Sequence, residues 1–202
     1  GLIDVIDHLG IEEIQKIDMN SEYLAASCLI NNLPSIALFY FDSSHLPVFQ
    51  DIFNQFPIPV NDILDIDIES NSIYLVTDNG VVTGDLDDIL NFSGSWEILF
   101  EGQDAFQITI KNDIVWLITS DSVSFYTSGN WIPIINNNFD EILDAKISPE
   151  SDTLSLLTEN EYIEIDIDSG DIILQMSIPV NSTYTCMNIN TETIILGLKR
   201  HG

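Results

Sequence analysis

The sequence predicts an all-β fold, a β-propeller of five blades with four antiparallel strands each, and three observations carry that prediction. Short strand patterns recur with a period of about 36 to 50 residues, four to a period, with almost no helical periodicity. Within one period, residues 61–85 (NDILDIDIESNSIYLVTDNGVVTGD) read as strands 63–68, 73–77 and 81–85, separated by Glu-Ser-Asn-Ser and by the tight-turn signal Asp-Asn-Gly. The following period aligns without a gap at an offset of 42, pairing Leu64 with Phe106, Ile66 with Ile108, Ile68 with Ile110, Tyr74 with Trp116 and Thr77 with Thr119.

Taken in order, residues 2–7 (LIDVID) form a strand with no neighbour in sequence to pair with. Residues 13–19 and 23–28 are the first two strands of an opening blade, with Ile17, Met19 and Ser27 in the places of Ile66, Ile68 and Thr77. Residues 34–41 and 46–53 complete it, and 53–60 is a connector, because Pro57 and Pro59 cannot donate to a central ladder. The second blade ends with strand 96–101. In the fourth, Leu143, Ala145 and Ile147 take the Leu64, Ile66 and Ile68 places, and Thr158 takes the Thr77 place after a two-residue insertion. Its outer strands, 162–168 and 171–178, meet at Asp168-Ser169-Gly170-Asp171. A last unit from about Thr183 supplies only two strands. The blades of a single domain are therefore about 12–56, 61–102, 103–138, 139–180 and 181–202 plus 1–10, with residues 2–7 closing the ring beside 194–198. A solenoid needs shorter, more uniform coils, and an immunoglobulin-type sandwich would not repeat at this period.

The composition, 45% hydrophobic over 202 residues, suffices for a filled core. Thirty-three Asp and Glu against five Lys and Arg leave a formal charge of −28, which repels phosphate backbones and anionic lipid heads. Nucleic acid and membrane insertion are excluded as partners on that ground, and no apolar run reaches the roughly 18 residues of a span. The acidic surface fits an extracellular or periplasmic setting, and its first duty is to solvate a strand-rich protein and guard its edges. There is no signal-peptide pattern, and the absence of an initiating Met reads as a processed or excised piece. Cys28 and Cys186 are expected as buried free thiols.

The junctions IYLVTDNGV (73–81), VWLITSDSV (115–123), LSLLTENEY (154–162) and IILGLKRHG (194–202) resemble the repeat of bacterial two-component-regulator and secretion-associated propellers. GSWEILFEG and GNWIPIINN look like the fourth strands of such blades, and IEIDIDSGDIIL (163–174) is similar to the quinoprotein-type repeat without its cofactor-site residues. The motifs are degenerate, with the repeat's Gly kept only at 197. The resemblance implies a non-enzymatic binding or sensing module without a cofactor, engaging a protein or small polar ligand at the axis or loop face.

First strands of a propeller line its channel, which singles out two sets of side chains: Lys16, Asp65, Gln107, Asp144 and Cys186, and Asp18, Asp67, Thr109, Lys146 and Asn188. Lys16, Asp18, Asp65, Asp67, Asp144 and Lys146 are the candidate binding residues, with the lysines expected to offset the carboxylates and hold them ionised near neutral pH. The alternative is a glycan-active enzyme in which Asp18, Asp65, Asp67 and Asp144 imitate the acid and base of five-bladed glycosidases. Residues 166–171 (DIDSGD) have the look of a calcium loop, but Gly170 stands where a ligand is needed and no Glu closes the loop, so a hairpin turn is expected. His8, His45 and His201 lie in loops without a nucleophile motif, zinc spacing is absent, and Lys199-Arg200-His201 is the one basic cluster. Trp96, Trp116 and Trp131 are read as packing residues.

Overall fold

A computed structural model describes residues 9–102, 104–112, 114–127, 129–135, 141–148, 151–178, 184–189 and 194–198. Its strands are β1 (Ile11–Met19), β2 (Tyr23–Ile30), β3 (Leu33–Phe41), β4 (Pro47–Phe53), β5 (Ile63–Glu69), β6 (Ser72–Thr77), β7 (Gly80–Asp85), β8 (Trp96–Glu101), β9 (Ala105–Lys111), β10 (Ile114–Thr119), β11 (Val123–Thr127) and β12 (Asn130–Ile135). They continue as β13 (Ile142–Ile147), β14 (Thr153–Thr158), β15 (Glu161–Asp166), β16 (Ile172–Ser177), β17 (Tyr184–Ile189) and β18 (Ile194–Leu198). Among the described residues four sheets of four strands result, in the orders β1-β2-β3-β4, β5-β6-β7-β8, β12-β11-β10-β9 and β13-β14-β15-β16, and β17 pairs with β18 as a two-stranded sheet. Among the described residues the complete sheets are thus four rather than the five expected. The predicted pairing of residues 2–7 falls outside the described residues.

Each sheet is an antiparallel meander whose turns the sequence dictates. Thr77 donates its hydroxyl to the Gly80 carbonyl at 2.9 Å and accepts from the Asn79 N–H at 3.2 Å. Thr119 does the same with the Ser122 carbonyl and N–H, at 3.3 and 3.0 Å, and Thr158 with those of Glu161, at 3.3 and 3.0 Å. The repeated threonine therefore closes the hairpin of its own sheet, where a side-chain hydroxyl substitutes for missing ladder bonds. Gly80 fits the first of these turns with φ of 152°, and a Cβ there would collide with the Phe100 carbonyl.

The chain divides into two compact units, residues 1–110 and 111–202. In the first, Ala25, Ile36, Leu38 and Phe53 from the opening sheet pack against Ile63, Ile66, Ile68, Ile73 and Leu75 of the next, and Phe56, Ile58 and Val60 of the connector seal one side. Trp96 joins this core edge-to-face with Phe53 and Phe56, at 6.5 and 5.4 Å between ring centroids, and its indole N–H donates to the Leu90 carbonyl. Ile66 and Ile68 are 6% and 3% exposed, whereas Ile17 and Met19, in the same places of the opening sheet, are 59% and 64% exposed. The difference is positional, since within this unit a sheet precedes β5 and none precedes β1. In the second unit Leu157, Tyr162 and Ile178 pack against Met187.

Candidate functional site

The candidate residues lie on the first strand of each sheet, a strand that is also the sheet's edge. A recurrent irregularity sets their direction. The register between first and second strands slips between Ile14 and Lys16, Ile63 and Asp65, Ile142 and Asp144, and Tyr184 and Cys186. The extra residue makes a bulge immediately before the Asp65 place, and a bulge turns the chain so that side chains three apart share a face. Ile63 is accordingly buried with Ile66 and Ile68, and Ile142 with Ala145, while Leu64 and Leu143 are only half-buried. The aspartates then point to the opposite side.

There they meet the backbone of the next first strand. Asp18 accepts the Ile68 N–H at 2.8 Å, Asp65 the Ile108 N–H at 3.0 Å, Asp67 the Ile110 N–H at 3.1 Å and Asp144 the Met187 N–H at 2.7 Å. One rule covers all four: a carboxylate in the Asp65 place clamps the residue in the following strand's Ile66 place, and one in the Asp67 place clamps the Ile68 place. These amides belong to edge strands and have no ladder partner on that side, so the carboxylate satisfies a donor that would otherwise be stranded. A bond of this kind to an ionised carboxylate stabilises by roughly 1.5–3 kcal/mol. Asp144, 9% exposed, also accepts from the Ala145 N–H at 2.9 Å.

The lysines do not act as expected. Lys16 and Lys146 are exposed, and among the described residues neither ammonium has an ion-pair partner; a lysine in either place has no acceptor oxygen to offer the next strand's amide. Without that compensation the Asp67 carboxyl is pushed up to about 7, first by burial, then by the Asp18 charge and further by Asp65 and Glu69, with the Ile110 amide pulling the other way. The expectation that a lysine holds this carboxylate ionised near neutral pH is thereby corrected for Asp67. Among the described residues the cation that is engaged is Lys111, which the sequence did not single out: it lies 3.1 Å from Asp152 and donates to the Ser148 and Ser151 carbonyls. Gln107 is buried and Thr109 half-buried on β9; Asn188 lies on β17.

Other sequence candidates resolve simply. Residues 166–171 form a hairpin turn, with Asp166 accepting the Ser169 N–H at 2.8 Å and held below the ordinary carboxylate range by that bond. Cys28 is buried and its thiol pushed up to about 11 by burial, but Cys186 is exposed, contrary to expectation, because it faces away from Met187 and the core. Lys199, Arg200, His8 and His201 lie outside the described residues. Among the described residues no cluster of three His, Cys, Asp or Glu is placed to hold a metal ion, and no helix is long and apolar enough to cross a membrane.

No family model and no curated protein sequence matches the chain. Its fold, however, is similar to solved structures. The N-terminal domain of Nup159 matches with a TM-score of 0.59 at 12% identity, over 90% of this chain and 51% of that one. The WD40 domain of Toxoplasma gondii coronin matches with 0.61 at 13%, over 80% and 44%. The extracellular domain of BT4673 from B. thetaiotaomicron matches with 0.64 at 12%, over 92% and 25%. These are domains of β-propeller type, and the likeness at such identities is one of fold. The chain spans about half the length of the first two.

Proposed function

We propose that this propeller-type chain is a non-enzymatic interaction module with an acidic surface that works outside the cytoplasm. The observation that carries the reading is the use of Asp18, Asp65, Asp67 and Asp144, the residues available for channel chemistry, as acceptors for backbone amides. Carboxylates committed to holding strands together are poorly placed to give or take a proton on a substrate. A net charge of −28 and a fold shared with an extracellular domain support the setting and point to cationic or polar protein partners.

One observation favours a second reading. A carboxyl raised to about 7, as at Asp67, is what a glycosidase needs in its general acid, and Asp65 on the same strand would be its partner. Incubating the full chain with aryl glycosides of the common hexoses and pentoses decides between the two. The interaction module predicts no turnover above buffer, and turnover that disappears in Asp67→Asn overturns it.

A further inference from the structure

We propose that a cleft in the second unit, between β10–β12 and the β15–β16 turn, is a peptide-binding site for an apolar side chain followed by Lys or Arg. The cleft measures about 390 Å³; Ile114, Trp116, Phe125 and Ile134 make its walls, and turn residues 167–170 its rim. The inference rests on the interaction-module reading and names a site and a partner class for it.

The indole of Trp116 is the first argument. The residue is 3% exposed and tilts against Phe125 with ring centroids 5.6 Å apart, yet among the described residues its N–H has no hydrogen-bond partner. Buried polar groups in folded proteins are satisfied almost without exception, and an orphaned buried donor on a residue that lines an open cleft calls for an acceptor brought from outside. The contrast within the chain is direct. The Trp96 N–H donates to Leu90, and Ser155, which takes the Trp116 place in the fourth sheet, bonds to the Tyr162 hydroxyl at 3.0 Å.

The rim supplies the second argument. The Asp166 carboxylate accepts the Ser169 N–H, the Asp166 carbonyl accepts the Gly170 N–H at 2.8 Å, and Gly170 sits at φ of 74°, where a side chain would be strained. This fixed turn presents Asp168, exposed and with its carboxylate unpartnered among the described residues. Apolar walls, one unspoken-for donor and one anionic rim together fit a peptide. Its aliphatic side chain covers Phe125 and Ile134, its carbonyl accepts from Trp116, and its next side chain, a cation, reaches Asp168.

The test uses the full 202-residue chain, labelled with nitrogen-15, titrated with N-acetyl-Leu-Lys-amide and, separately, N-acetyl-Leu-Glu-amide. The reading is the indole N–H resonance of Trp116, assigned with Trp116→Phe. A saturable shift with the lysine peptide is expected while the Trp96 resonance stays still; in Trp116→Phe, followed at the Gly170 backbone amide, affinity should be about tenfold weaker. In Asp168→Lys, a change on an exposed turn, the preference for the lysine peptide should vanish or reverse. A Trp116 resonance unmoved up to about 20 mM, well above the roughly millimolar Kd of so few contacts, overturns the proposal. So does equal affinity for the two peptides, or an Asp168→Lys variant that keeps the preference. A silent cleft in a chain without glycoside turnover removes this site and leaves the interaction module standing.

Discussion

The Asp65 carboxylate holds the Ile108 amide at 3.0 Å, joining the first strands of two successive sheets across 43 positions of sequence. The pair turns two liabilities into one bond: an edge-strand N–H without a ladder partner and a half-buried charge. Asp144 and Met187 repeat it in the second unit at the same separation, 2.7 Å apart. The repeat of the sequence is therefore a repeat of contacts as well as of strands.

Removing the acceptor while leaving the amide should reveal the size of this contribution. Asp144→Ala strands the Met187 N–H and is expected to destabilise the protein by about 2–3 kcal/mol, with Asp144→Asn costing about half as much because an amide oxygen remains. Urea denaturation gives the free energies. Hydrogen exchange at Met187 should accelerate in the alanine variant well beyond that of Leu156 in the centre of the sheet.

Asp67 sets a pH dependence of known sign. Its carboxyl rises from the ordinary 3.8 to about 7 in the folded chain, so folding binds a proton. The resulting stability is fully present below about pH 4, is lost as pH rises toward 7, and is absent above it. Asp67→Asn keeps an oxygen for the Ile110 N–H and removes the titration. The difference in Tm between variant and wild type should grow in the variant's favour from pH 4 to pH 8; a constant difference would show that Asp67 titrates normally.

The hairpin threonines offer a cleaner measure of a single hydroxyl. Thr77→Val and Thr158→Val preserve shape and β-branching but leave a turn N–H and carbonyl unserved, so each should cost about 1 kcal/mol or somewhat more. Both residues are buried, whereas Thr119 is half-exposed and can exchange its bonds for water, so Thr119→Val should cost less. Equal effects at all three places would mean the hydroxyl bonds contribute nothing beyond β-propensity.

Gly197 pairs across the β17–β18 ladder with Cys186, and a Cβ on it would collide with the Cys186 sulfur. Gly197→Ala should destabilise by about 1–3 kcal/mol. Cys186→Ala removes the obstructing atom, so the double variant should be more stable than the two single changes sum to, and a double-mutant cycle reads the coupling. An additive cycle would place the cost of Gly197→Ala in the backbone.

The sequence by itself determined the strands, their grouping in fours and the repeated threonine, because these depend on local matters: alternation of apolar and polar residues, turn chemistry and a period that survives alignment. It also carried the bulge unnoticed, in the spacing of Ile63, Ile66 and Ile68, three positions and then two, repeated at Ala105, Ile108 and Ile110. Tertiary structure alone decided what the aspartates do. Asp18, Asp65, Asp67 and Asp144 look like channel ligands when only their own strand is considered, and their amide partners stand 43 or 50 positions away. The same holds for Lys16 and Lys146, whose charges seemed to answer those of the aspartates until their side chains turned to solvent, and for the Trp116 indole, whose missing partner no local pattern could disclose. Periodicity fixes which face a side chain takes, but a hydrogen bond also needs the atom on the other side, and only packing of one sheet against the next supplies it.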